Sequence, residues 1–464
     1  MRPAEFKNPE QELARFQRRL AVAGGFVLLA FFLLFARFFW LQVVRYEHFQ
    51  TRAEDNRISL VPVVPNRGVI LDRNGVVLAS NYSAYTLEIT PGKVADLEAV
   101  INELAGIVDI QPKDRKRFRK LLEESKNFES LPIRTRLSDE EVARFIARRF
   151  RFPGVEIKAR LFRQYPQGEL ASHALGYIGR VNDRDLGTIE RNNAEDNYRG
   201  TEHFGKTGLE QKYEFELHGQ TGFEQVEVEA GGRAVRVLER TPPLPGNNLL
   251  LTLDARLQQV VEKAFGKRRG ALVAIEPSTG GILALVSMPG YDPNLFVDGI
   301  GSQDWEALNT SEDKPMVNRA LNGAYPPGST FKPFMALAAL ETGKRTPQQT
   351  ISDPGFFNFG GHTFRDDKKG GHGIVDMYKS IVHSCDTYYY VLANDMGIDA
   401  ISNFMRQLGF GQRTGIDIEG ESEGVLPSQE WKKKRFRKPE QQKWYAGETV
   451  SIGIGQGYNA YTPI

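Results

Sequence analysis

The sequence predicts an α+β protein held on a membrane anchor, and three observations carry that expectation. An uncharged run near the N-terminus has the length of a single membrane span. A long region of mixed texture follows it. Beyond a proline-rich stretch, strands and helices cluster separately instead of alternating, the pattern of helices packed on a mainly antiparallel sheet. The 464 residues exceed one ordinary core, so two or three domains are expected. Hydrophobic residues at 41% and charged residues at 25% are the balance of a folded chain. A net charge of +2, from 60 basic and 58 acidic side chains, gives no field for gripping DNA or RNA, so no nucleic-acid partner is expected. Cys385 is the single cysteine, which makes an intramolecular disulfide impossible.

The anchor is read from LAVAGGFVLLAFFLLFA, which ends at Ala36, and from FFWLQVV after Arg37. Together they reach the length that crosses about 30 Å of hydrocarbon, so residues 20–44 are the expected transmembrane segment in the lipid bilayer. Arg15, Arg18 and Arg19 stand just before it, so the positive-inside rule puts residues 1–19 in the cytoplasm. Trp40 and Tyr46 stand where anchors at the far interface belong. No small-x-small cleavage site follows the apolar run, which favours an uncleaved anchor over a signal peptide. The rest of the chain is then extracytoplasmic, which in a bacterium means a periplasmic domain on the inner membrane.

Residues 47–245 read as an extended mixed pedestal domain. In VPVVPNRGVILDRNGVVLASN, Asn74-Gly75 between two apolar alternating runs signals a tight hairpin. Charged amphipathic helices are expected around 113–125 and 138–150, with their arginines on solvated faces. TPPLPGNN at 241–248 marks a boundary, after which residues 246–464 form the second domain. There LLLTLD (249–254) reads as a strand, and ALVAIEPSTGGILALVSMP (271–289) as two strands around a turn at Ser278–Gly281. Helices are expected at Phe331–Thr342, Met377–Val382, Thr387–Met396 and Ala400–Leu408, three of them closed by Gly343, Gly397 and Gly409. The basic run Lys432–Lys438 reads as an exposed loop, with membrane headgroup contact as the sharper alternative.

GTEHFGKT at 200–207 formally matches the phosphate-binding pattern G-x-x-x-x-G-K-[ST]. A phosphate loop follows directly on a buried apolar strand, and DLGTIERNNAEDNYR cannot be one. An NTPase is therefore not expected.

The strong signal is YPPGSTFKPF at 325–334. Pro326, Pro327 and Gly328 stop any earlier element, and an apolar helical run follows. Ser329 thus falls at a helix N-terminus, where free amides and the helix dipole favour developing negative charge. Lys332 lies one turn further on, on the same face. A serine hydroxyl is a weak nucleophile until a base takes its proton, and a lysine with a lowered pKa can be that base. Ser384-Cys385-Asp386 follows at a break between two helical patterns. A second hydroxyl beside an aspartate can relay a proton from Lys332 to a leaving amine.

With these residues in place the chain resembles a class B penicillin-binding protein, a monofunctional peptidoglycan D,D-transpeptidase. The resemblance spans nearly the whole chain: the single anchor, RGVILDRNGVVLA (67–79), GLEQKYEFELHGQTG (208–222), PPGSTFKP and the Ser384 motif. Asp386 stands where division enzymes of the family usually carry Asn, and with GHTFRDD and GHG upstream this is similar to the elongation branch. The resemblance implies a serine β-lactamase-like transpeptidase domain. Ser329 is then the acyl-ester nucleophile, Lys332 the general base, Ser384 the proton relay and Asp386 the support of the second motif. It implies peptidoglycan stem peptides ending in D-Ala-D-Ala as substrates and β-lactams as acylating mimics. Expected partners are a SEDS-family glycan polymerase and other elongation-complex membrane proteins. Catalysis needs no cofactor. The third family motif, Lys-[Ser/Thr]-Gly, follows the second one, so Lys206-Thr207-Gly208 cannot supply it. The last residues, SIGIGQGYNAYTPI, resemble the start of a helix inside the transpeptidase domain, and the third motif is expected beyond Ile464. The rival readings are a membrane-bound β-lactam sensor and an inert cell-wall scaffold on the same fold.

Cys385 invites a metal reading. The loop before it carries Asp353, His362, Asp366, Asp367 and His372, and one thiolate, one imidazole and two carboxylates would close a tetrahedral zinc site. Resemblance to elongation-type relatives favours Asp353, Asp366, His372 and Cys385 as the ligands of a structural Zn2+, with Asp367 and His362 in reserve.

Overall fold

The computed structural model describes residues 9–45, 58–124, 130–228 and 234–464. Tyr46 and residue 125, at the end of an expected helix, lie outside them. The N-terminal helix runs Pro9–Phe39 and tightens into a π-helical turn at Trp40–Val44. Its stretch Leu13–Val44 spans 32 residues with mean hydropathy 2.2 and none of its apolar window buried. At about 1.5 Å per residue this exceeds the hydrocarbon thickness. The helix fits a single-pass membrane anchor.

The chain divides into two compact units. One comprises residues 1–63, 84–160 and 222–242; the other comprises 64–83, 161–221 and 243–464. In the first, Ile58–Val63 pairs antiparallel with Gly222–Val228, which pairs with Ala234–Thr241. A core of Leu87, Ile89, Leu104, Phe118, Ile133, Phe145 and Phe152 sits among the helices Leu97–Leu104, Pro112–Glu124 and Asp139–Ile146. Ser138 and Glu141 close a capping box at the start of the last helix. That helix stops at Ile146, short of the expected 150, and the chain goes on as a 3-10 turn at Arg149–Arg151. Pro153 disfavours helical backbone at Phe152, and Gly154 turns the chain with φ +86°. Arg119, Arg144, Arg148, Arg149 and Arg151 are solvated as expected. Arg117 instead turns inward onto Asp114 and the Ile133 carbonyl.

In the second unit the Asn74-Gly75 hairpin joins Ile70–Leu71 to the start of the strand Val77–Ile89, of which residues 77–83 belong to this unit, with Gly75 at φ +83°. The strand expected at 249–254 shrinks to Leu249–Leu250, which pairs parallel to Ile70–Leu71. Asp254 then caps the helix Ala255–Phe265 through the amides of Arg256 and Leu257. Gly270–Ile275 and Ile282–Met288 form the expected antiparallel pair. Helices at Lys332–Glu341, Met377–Val382, Asp386–Met396 and Ile398–Gln407 follow, with Gly343, Gly397 and Gly409 at positive φ after three of them. Phe331, Met335, Ala338, Cys385, Tyr388, Tyr389, Leu392, Val450 and Ile452 pack the core around the first of these helices.

Two segments depart from their sequence readings or settle them. The 200–207 stretch carries the strand His203–Gly205, and Lys206 pairs with Asp185. A Cβ on Gly205 would lie 1.9 Å from the Glu210 carbonyl, so this segment is closed over by its own chain and cradles no phosphate. The basic run is a loop only in its second half. Lys432–Arg435 form the end of the helix Gln429–Arg435, with Lys432 buried and the other cations of the run exposed.

Candidate active site

Ser329 sits in a 3-10 turn, Gly328–Phe331, that runs into the helix Lys332–Glu341. Pro333 lies in the first helical turn, where the missing amide costs nothing. The serine is exposed, and Lys332 one turn later is only 2% exposed. Two backbone clamps fix this turn. Tyr325 and Tyr461 exchange amide–carbonyl hydrogen bonds of 2.8 and 2.9 Å, and the Gly328 amide donates to the Gly455 carbonyl at 3.0 Å. A Cβ on Gly455 would come within 2.2 Å of the Gly328 carbonyl, so the close approach requires glycine.

Lys332 reaches the second motif directly. Its Nζ donates to Ser384 Oγ at 3.0 Å, to the Ser384 carbonyl at 2.5 Å and to Asp386 Oδ1 at 2.5 Å. The centroid of the Tyr389 ring lies 5.7 Å from the same nitrogen. Ser384 holds φ +54°, a left-handed conformation that costs a side-chain residue about 1–2 kcal/mol. That backbone directs both the hydroxyl and the carbonyl of Ser384 at one lysine. Strain kept where polar groups converge is a mark of functional sites. Chemically, the arrangement can take a proton onto Lys332, stabilise the resulting ammonium with Asp386 and pass the proton on through Ser384.

Beneath the second motif, Asp353, Asp366, His372 and Cys385 bring one donor atom each to within 4.8 Å of one another. His372 Nδ1 lies 2.9 Å from Asp353 Oδ2 and 3.3 Å from Asp366 Oδ1. Cys385 Sγ lies 3.4 Å from a carboxylate oxygen of each aspartate. Cys385 is fully buried at the N-cap of the helix that starts at Asp386. Burial, with the two carboxylates beside it, pushes the thiol well above its ordinary range. Burial also pushes Asp353 up, but the Thr387 side chain, with the amides of Gly355 and His372, outweighs it and holds the carboxyl below its usual range. Two carboxylates, a thiol and an imidazole in van der Waals contact are a donor set that lacks only positive charge, and a tetrahedral divalent ion fits it. Asp367 and His362 fall outside this group, and both are exposed.

Sequence reasoning missed Tyr389, Gly455 and Tyr461. The signal for the glycine was present in the GIGQG stretch, where a glycine-rich turn implies close backbone approach.

Comparison with known proteins agrees with this picture. Residues 62–251 match the family model of the penicillin-binding protein dimerisation domain, and residues 270–464 that of the penicillin-binding protein transpeptidase domain. The peptidoglycan D,D-transpeptidase MrdA of Escherichia coli K12 is 45% identical over 461 residues, covering 99% of this chain and 72% of the relative. The complex between penicillin-binding protein PBP2 and MreC from Helicobacter pylori superposes with a TM-score of 0.75 at 32% identity, covering 88% of this chain and 74% of that one. A peptidoglycan synthase complex that coordinates polymerization and crosslinking gives a TM-score of 0.63 at 30% identity, over 96% of this chain and 75% of that one. A Ser-x-x-Lys turn facing a second serine, on a helix-rich α+β frame, defines the penicillin-recognising serine acyl-transferases. Within them, the chain belongs to the class B penicillin-binding proteins of the MrdA, or penicillin-binding protein 2, type.

Proposed function

We propose that the protein is a serine-type D-Ala-D-Ala transpeptidase that cross-links peptidoglycan stem peptides during cell-wall elongation. The observation that carries this reading is the convergence of Ser384 Oγ and Asp386 Oδ1 on Lys332 Nζ, one helical turn from Ser329. Lys332 takes the Ser329 proton as Oγ attacks the carbonyl of the penultimate D-alanine, and the Ser329 amide helps hold the oxyanion. Asp386 stabilises the ammonium formed in that step. The amide bond breaks, the proton passes by way of Ser384 to the departing D-alanine amine, and an acyl-enzyme remains. An amine from a neighbouring strand then attacks the ester carbonyl, the bond to Ser329 Oγ breaks, the amine's proton returns along the same route to that oxygen, and the cross-link is complete. A β-lactam follows the first half of this course and stays on Ser329.

Asp353, Asp366, His372 and Cys385 would hold a structural zinc. Bound there, the ion would tie the 353–372 loop to the residue next to Ser384 and supply the positive charge this donor set lacks. No step of the acyl transfer passes through it.

The anchor would sit in the bacterial inner membrane with residues 1–19 cytoplasmic and the transpeptidase domain, residues 246–464, in the periplasm. Residues 47–245 act as a pedestal that receives membrane partners, an MreC-type protein and a SEDS-family glycan polymerase. The similarity to a PBP2–MreC complex and to a peptidoglycan synthase complex that coordinates polymerization and crosslinking supports that reading.

Labelling by a fluorescent penicillin tests the reading. A single adduct on Ser329, lost in Ser329→Ala, is the expected result. An adduct on another residue would overturn the mechanism.

A further inference from the structure

Lys432 is a buried cation that the acyl-transfer chemistry does not use. It is 3% exposed, on the helix Gln429–Arg435, whose neighbouring lysines face solvent. Its Nζ lies 2.5 Å from Glu448 Oε1 and donates to the Lys443 carbonyl at 2.8 Å. The rings of Trp444, Tyr445 and Tyr458 surround it, with centroids 5.7, 5.3 and 5.6 Å away. Each of these contacts is of cation–π length. Tyr458 Oη also donates to Glu448 Oε1 at 3.0 Å, and the Tyr445 amide donates to Glu448 Oε2 at 3.0 Å. One ammonium therefore joins two separate points of the segment 446–461: the start of its helix, Ala446–Ile452, and Tyr458 beyond the following turn.

That segment supplies both backbone clamps on the nucleophile turn. Gly455 accepts from Gly328, and Tyr461 exchanges two hydrogen bonds with Tyr325. Gly455 lies between Glu448 and Tyr458, inside the span that Lys432 closes. The Asn459 side chain braces the same span through the carbonyls of Ile452 and Gln456, and Tyr461 Oη donates to Asn459.

We propose that Lys432 is a positioning residue for Ser329: its aromatic-caged ion pair with Glu448 fixes the 446–461 segment, and that segment sets the turn that carries the nucleophile. This rests on the acyl-transferase reading but goes beyond it, because nothing in the Ser-x-x-Lys chemistry calls for a cation here.

The test is stopped-flow acylation of full-length protein by a chromogenic β-lactam, with the non-covalent dissociation constant and the acylation rate constant measured separately. Lys432→Met is expected to lower the rate constant by about tenfold or more, since small displacements of a reacting group cost rate steeply. The dissociation constant should stay within about twofold of wild type, because the groups that bind the ligand are untouched. Tyr458→Phe keeps the ring and removes one hydrogen bond to Glu448, so it should give a smaller loss in the same constant without unfolding. Lys434→Met, which alters an exposed lysine two residues away, should match wild type. If Lys432→Met does not fold, Tyr458→Phe decides. A wild-type rate constant in folded Lys432→Met and Tyr458→Phe, or a change confined to the dissociation constant, would overturn the positioning role. Failure of the wild-type protein to acylate would instead overturn the acyl-transferase reading.

Discussion

Lys332 Nζ stands 3.0 Å from Ser384 Oγ while the Ser384 backbone is held in a left-handed conformation. The lysine nitrogen faces three acceptors: the Ser384 hydroxyl, the Ser384 carbonyl and Asp386. Ser384→Ala removes only the hydroxyl and leaves two of those contacts in place. We expect the variant to fold with little loss of stability and to acylate about 10²–10⁴ times more slowly, the usual range for a lost proton-transfer group. Time-resolved labelling with a fluorescent penicillin measures this, and a wild-type rate would remove Ser384 from the relay.

Glu210 is the centre of a buried charge cluster in the second unit. It accepts from Arg67 Nε at 2.8 Å, Arg163 Nε at 2.7 Å and Tyr165 Oη at 3.1 Å. Burial pushes its carboxyl up, but the two guanidinium groups win and hold it below the usual range. Glu210→Ala strands the buried Arg163 without a counter-charge, while Arg67 keeps Glu214 at 2.7 Å; breaking a buried pair in this way costs about 3–5 kcal/mol. Thermal unfolding should show a large drop in midpoint, with Glu210→Gln between the variant and wild type. A midpoint unchanged in Glu210→Ala would mean that Arg163 finds other acceptors.

Much of the frame was legible because its signals are local. Asn74-Gly75 supplied the turn, and Gly343, Gly397 and Gly409 ended helices at positive φ. The helix Ala255–Phe265 was missed although Asp254 and Gly266 bracket it, because the apolar LLLTLD before it drew the strand reading too far. Lys432 was misread for a different reason. A run of cations looks solvated, and only the folded chain brings Glu448, Trp444 and Tyr458 around one of them. Nothing local announces that residues 64–83 and 161–221 share a unit with 243–464. Contacts such as Arg67–Glu210 link positions far apart and leave no periodicity to read. The donors around Cys385 were nameable from residue type, but their mutual approach depends on the pairing of Ile351–Asp353 with Gly373–Val375.

The Asp353, Asp366, His372 and Cys385 cluster should hold about one zinc per chain when the protein is purified without chelator. Elemental analysis of wild type and Cys385→Ser measures this directly. The variant should lose the metal, melt at lower temperature and acylate more slowly, since Cys385 neighbours Ser384. Chelator treatment of wild type should reproduce the lower melting point. A metal-free wild type, or a Cys385→Ser protein with unchanged melting and acylation, would reduce the cysteine to a core side chain.

Asp72 gives the frame a defined acid sensitivity. Its Oδ1 accepts from the amides of Asn74 at 2.8 Å and Val76 at 2.7 Å, and its Oδ2 accepts from the Ala255 amide at 3.0 Å. The carboxylate thus ties the hairpin turn to the start of the helix Ala255–Phe265. Burial pushes its pKa up, but the amides of Ala255, Val76 and Asn74 outweigh burial and hold it below the ordinary 3.8. The folded chain therefore binds fewer protons at this site than the unfolded chain. Its stabilising contribution is complete above the unfolded value and is lost as pH falls through the lower folded one. Asp72→Asn should cost about 1.5–3 kcal/mol near neutrality, the worth of hydrogen bonds to a charged group. The difference in melting temperature between wild type and variant should be flat from about pH 8 to about pH 5 and shrink below about pH 4. A difference that persists undiminished through the acid range would mean that shape, and not charge, is what Asp72 contributes.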